Sequence, residues 1–64
     1  MKLTREDLAM MLDEMNNNNA DYINVDANIE PTWDGMTLNS ITFNAIKLKN
    51  KRKFLVANLL TIKE

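Results

Sequence analysis

Two sets of side chains have the types and spacing to do chemistry, and both are charged. Lys47, Lys49, Lys51, Arg52 and Lys53 place five cations within seven positions, reading KLKNKRK. Such a run can lie along a phosphate backbone, where each cation displaces a condensed counterion and makes binding salt-dependent. Sequence readout, however, wants Arg or an amide side chain aimed at base edges, and single-strand binding wants aromatics interleaved with the charge. Only one Arg is present in the run, and the nearest aromatics, Phe43 and Phe54, read as core. Three uses remain for the run: a solvated hairpin tip, contact with an acidic protein patch, or contact with nucleic acid.

The second set is acidic. From Met1 to Gly35 two basic residues stand against eight acidic ones, Glu6, Asp7, Asp13, Glu14, Asp21, Asp26, Glu30 and Asp34, a net charge of −6. From Met36 to Glu64 six basic residues stand against one acidic residue, a net of +5. The formal net charge of −1 conceals this division, which marks a candidate interaction surface. A line of carboxylates can imitate a line of phosphates and occupy the nucleic-acid groove of an enzyme. Asp13, Glu14, Asp26, Glu30 and Asp34, with Trp33 beside them, are the candidate partner-binding residues. The plainer reading is that these charges keep the chain in solution.

Other chemistry is poorly supported. There is no His and no Cys, so a structural zinc site and the usual activated nucleophiles are not expected. The hydroxyls of Thr4, Thr32, Thr37, Ser40, Thr42, Thr61 and Tyr22 have no accompanying base, and no nucleophile-elbow motif surrounds Ser40. A single glycine cannot build a phosphate-cradling loop. Asn24, Asp26, Asn28 and Glu30 share one side of an alternating run, but alternate strand residues lie ~7 Å apart. That is too far for one calcium ion to gather several of them at ~2.3–2.6 Å. The expectation is a non-enzyme with no metal, no cofactor and no small-molecule substrate.

The elements that would position these residues follow from periodicity. Thr4 can cap a helix over 4–15, with Asp7 completing a capping box and Leu3 and Leu8 forming a hydrophobic staple. Leu8, Met11, Leu12 and Met15 recur at helical spacing on one face. Asn16 to Asn19 stop the helix, since Asn tolerates the left-handed conformation. Tyr22 to Glu30 alternates apolar and polar residues and reads as a strand with one buried face. Pro31 is expected to end that strand, and PTWDG over 31–35 to form a loop with a turn at Asp34-Gly35. Trp33 in that loop is either a binding anchor or a cap folded back on the small core. Met11 and Met15 read as core fillers, while Met10 lies off the stripe.

Ile41, Phe43 and Ala45 alternate, and the phase then shifts to Ile46 and Leu48, as a bulge near Ala45 would produce. Lys49 to Arg52 reads as a hairpin turn lacking Gly. In the final segment Phe54, Val56, Leu60 and Ile62 line one face, and Leu55, Ala57 and Leu59 the other. The predicted architecture is α+β: one N-terminal helix packed on a three-stranded antiparallel meander, αβββ, in a single domain spanning 1–64. The alternative makes the last segment a helix, αββα, because Leu55, Val56, Leu59, Leu60 and Ile62 also fit that period. As an edge strand apolar on both faces, 54–62 would be an aggregation liability unless a second copy or a partner covered it.

At 64 residues the chain buries only ~60% of its unfolded surface and is marginal as a monomer. MKLTREDLAMML has no uninterrupted apolar stretch of the signal-peptide kind, and no run approaches the ~20 apolar residues of a membrane span. The expectation is a soluble, cytoplasmic protein with no membrane partner.

In size, composition and layout the chain is similar to the small proteins with which phages and other mobile elements inhibit host enzymes, anti-CRISPR and anti-restriction proteins among them. The resemblance implies a protein-binding inhibitor of a nucleic-acid-processing or defence enzyme. The alternatives are a small nucleic-acid-binding or regulatory protein using Lys47 to Lys53, and a structural or assembly component.

Overall fold

The computed structural model describes residues 2–63. One helix, α1 (Arg5–Asn17), precedes three strands, β1 (Tyr22–Thr32), β2 (Gly35–Lys49) and β3 (Arg52–Lys63), in an antiparallel sheet of order β1-β2-β3. This is the αβββ arrangement, and the last segment is a strand rather than a helix.

The helix starts where its local chemistry dictates. The Thr4 hydroxyl accepts from the Asp7 amide at 3.1 Å, and the Asp7 carboxylate accepts from the Thr4 amide at 3.0 Å, satisfying two of the first turn's free donors. At the other end the Asn run closes the helix two residues later than the apolar stripe suggests. Asn18 is its C-cap, and Asn19 takes the left-handed conformation at φ 52°. The Ala20 amide then donates back to the Met15 carbonyl at 2.9 Å. Of the expected apolar face only Met11 is buried and Met15 half-buried, while Leu8 and Leu12 stay in solvent, as does Leu3 of the expected staple. The helix makes its main contact with β3, and only the line through Met11 and Met15 meets the sheet.

The register assigns the sheet two chemically distinct faces. Ile23, Val25, Ala27 and Ile29 of β1 lie with Met36, Leu38, Ile41, Phe43 and Ala45 of β2 and Phe54, Ala57, Leu60 and Ile62 of β3. This is the core face, and α1 packs on one end of it, where Met11, Ala45 and Leu59 form the buried centre. The opposite face carries cross-strand polar pairs. Asn28 Nδ2 donates to the hydroxyl of buried Ser40 at 2.8 Å, Asn58 Nδ2 to Asn44 Oδ1 at 2.9 Å, and the Thr42 and Thr61 hydroxyls lie 3.3 Å apart. Such pairs are the unit of sheet stabilisation.

Three details depart from the sequence reading, each for a local reason. Pro31 does not end β1; it pairs with Met36, and the strand runs on to Thr32. A proline is tolerated on an edge strand because its missing donor can point away from the neighbour. The turn is therefore Trp33-Asp34, with Gly35 as the first residue of β2 at φ 140°, a conformation that suits glycine. The phase shift after Ala45 is not a bulge in β2, because Ile46 and Leu48 simply lie on the second face, with Tyr22 and Leu55. The irregularities at this level belong to β3, where Val56 and Leu59 are skipped in the pairing. Two bulges re-phase the run LVANLL so that Ala57, Leu59 and Leu60 all reach the core, leaving Leu55 as the apolar residue exposed on the far side. The doubly apolar edge expected of residues 54–62 is thereby resolved into one core face, and Phe54 and Leu55 are its exposed large hydrophobics.

The β2–β3 hairpin turns on Asn50 and Lys51, both left-handed at φ 52° and 64°. This is the primed turn that suits the twist of a two-residue hairpin, and glycine is its favoured second residue. Lys51→Gly is expected to stabilise the fold by roughly 0.5–1 kcal/mol, the cost of a left-handed lysine less the extra freedom of glycine in the unfolded chain. A thermal melt checks it; a lower midpoint would refute it.

Candidate interaction surface

The two hairpin turns lie at opposite ends of β2, in a molecule whose longest extent is 43 Å. The charge division along the sequence is therefore also a division in space. At one end stands the Trp33-Asp34 turn with Glu30 nearby. At the other stand the cations around Asn50-Lys51.

The first end is an arm. Among the described residues the last pairing of β3 joins Lys63 to Ser40, and there Ile29–Thr32 and Gly35–Asn39 have only each other. This two-stranded segment carries the turn ~15 Å beyond the three-stranded sheet. At its tip the Thr32 hydroxyl lies 2.8 Å from Asp34 Oδ1 and 3.1 Å from the Gly35 carbonyl, which ties the Asp34 side chain into the turn. Trp33 does not fold back as a cap on the core: it is 97% exposed. A tryptophan held in water on a projecting hairpin is an unspent apolar contact, of the residue type that dominates binding hot spots.

The acidic candidates do not form one row. Glu30, Trp33 and Asp34 come together on the arm. Asp26 shares the polar face with Glu30 and accepts from Asn24 Nδ2 at 3.0 Å. Asp13 and Glu14 sit on α1, which packs on the opposite face of the sheet. Two further acids serve the fold. Asp7 caps the helix, and Asp21 Oδ2 accepts from the Leu48 amide at 2.6 Å. The role of Asp21 left no trace in the sequence, since it depends on the β1–β2 register.

The cations divide similarly. Lys47 is half-buried and its Nζ donates to the Asn19 carbonyl at 3.0 Å, holding the loop after α1 to β2. Lys49, Lys51, Arg52 and Lys53 are exposed around the turn, and Phe54 beside them is 47% exposed rather than buried.

A third surface escaped the sequence reading. On the core face, beyond the helix, Val25 is 56% exposed, Ile29 53% and Met36 71%. Alternation predicted that this face is buried but not what would cover it. The signal lay in the element lengths. A 13-residue helix is ~20 Å long, whereas a 15-residue strand spans ~50 Å. One helix therefore covers less than half of the face.

Among the described residues there is no enclosed pocket, no group of acidic side chains arranged to hold a metal ion, and no helix long and apolar enough to cross a membrane. Comparison with protein-family models, curated proteins and solved structures returned no match.

Proposed function

We propose that the chain is a non-catalytic protein-binding module, acting in the cytoplasm, whose contact element is the β1–β2 arm. Trp33 enters an apolar pocket of the partner, and Glu30 and Asp34 face cations at its rim. A pocket rimmed by cations is characteristic of surfaces that handle nucleic acid, so the class of partner that fits is a nucleic-acid-processing or defence enzyme, with this chain as its inhibitor. The observation that carries the reading is the full exposure of Trp33 at the tip of a projecting hairpin. Charge at the rim of such a contact speeds association and selects the partner more than it adds affinity.

One observation favours a second reading. Phe54, half-exposed beside Arg52 and Lys53, provides an aromatic face next to exposed cations, the combination that single-stranded nucleic acid uses.

Recovering the tagged chain from its host's lysate with and without nuclease separates the two. The inhibitor reading expects a stoichiometric protein that survives nuclease. That partner should be weakened by Asp26→Asn, Glu30→Gln and Asp34→Asn together, and left unchanged by Lys51→Gln, Arg52→Gln and Lys53→Gln together. Because Asp13 and Glu14 lie across the sheet from the arm, their amides should also have no effect. Loss of every companion after nuclease, with sensitivity to the lysine set, would replace this reading with the nucleic-acid one.

A further inference from the structure

The chain exposes 5088 Å². A compact monomer of 7.4 kDa exposes roughly 4,200 Å², so about 900 Å² is in excess. The radius of gyration, 13.9 Å, likewise exceeds the ~10.7 Å expected of 64 residues in a compact domain. The excess is close to the ~800 Å² that each partner contributes to a standard interface.

Part of that excess lies on the open half of the core face, where Val25, Ile29 and Met36 are exposed beside Ala27, Leu38 and Ile62. This patch bears no charge, whereas the reverse side of the same strands carries Asp26, Glu30 and Lys63. A surface can pack on its own copy about a two-fold axis only if equivalent residues tolerate each other. An uncharged aliphatic patch meets that condition, and either hairpin turn, with charges of one sign, fails it.

We infer that this half-face is a homodimer interface, packed on the same half-face of a second copy with the arms antiparallel and the two-fold axis near Ile29. Stacked sheets sit ~10 Å apart, about the diameter of a helix with its side chains. Each arm therefore fills the layer that the partner's helix leaves empty. The arms' polar faces, with Asp26 and Glu30, remain outward. The dimer rests on surface area and charge, independently of any role for Trp33.

The test is the solution mass of the full chain from micromolar to millimolar concentration, by sedimentation equilibrium. The expected result is twice the 7.4 kDa chain mass, reduced to the chain mass by Val25→Lys or Ile29→Lys. Both side chains already stand in solvent in the single chain, and far-UV circular dichroism verifies that the variants fold. As a second measurement, the chain has no native Cys, so a short bis-maleimide should join two chains of Ile29→Cys but not of Asn24→Cys, on the polar face. A wild-type mass of one chain at every concentration overturns the inference. So does a dimer that survives both lysine substitutions, or cross-linking at Asn24 in place of Ile29, either of which assigns association to another surface.

Discussion

Met11→Ala is expected to cost about 2–5 kcal/mol, the usual range for truncating a buried methionine to alanine. For a domain whose whole stability is of the order of 3–10 kcal/mol at this length, that removes most of it. Met11 is 2% exposed and is the buried side chain through which α1 joins the centre at Ala45 and Leu59, with half-buried Met15 packed beside it. Among the described residues nothing larger is fully buried, so the surrounding structure has little with which to fill the gap. Once undocked, a 13-residue helix is marginal in water, so helix and core are lost together. At ~4–8 °C per kcal/mol for a chain of this size, the thermal midpoint should fall by ten degrees or more, or the cooperative transition should vanish. Leu12→Ala, one position along on the exposed flank, should stay within ~0.5 kcal/mol of the parent. Equal losses from the two variants would mean that the helix docks through a different face.

Trp33→Ala should leave the melting curve where it was and weaken the proposed protein complex by about 2–4 kcal/mol, roughly 30-fold to 1,000-fold, as loss of an anchoring tryptophan does. The dissociation of the two effects is the informative part. A side chain 97% exposed contributes almost nothing to the folded monomer, so any loss of affinity belongs to the interface itself. Trp33 is also the only tryptophan. Its fluorescence therefore reports the contact directly, with a shift to shorter wavelength as water leaves the indole. Unchanged affinity in the alanine variant would remove the arm from the proposed interface.

What could be read from the sequence was what depends on near neighbours. The capping box is decided by Thr4 and Asp7, three residues apart, and the first strand by alternation over Tyr22 to Glu30. The features that were not legible depend on which strand lies beside which. Pro31 reads as a strand end until β1 is known to be an edge. LVANLL reads as a helix, or as a strand with two apolar faces, until the pairing with β2 places bulges at Val56 and Leu59. Asp21 and Lys47 read as surface charges until the register brings them to the Leu48 amide and the Asn19 carbonyl. The candidate acids were chosen by sign, and sign says nothing about which side of a sheet a residue occupies. Asp13 and Glu14 are consequently parted from Glu30 and Asp34. The exposure of Val25 and Ile29 was legible in principle, in the mismatch between one short helix and one long strand.

The order of the elements has a temporal consequence. Each hairpin joins strands adjacent in the chain and can close as soon as both strands exist, since short loops close quickly. The helix differs, because its main contact is with β3. The helix is made before the two strands that separate it from the strand on which it docks. Throughout synthesis of the two strands between them, Met11 has no Leu59 to meet and its apolar stripe stays open to water. Until β3 is made, the docking stripe of α1 is apolar surface without its partner, and a chaperone would have it to hold.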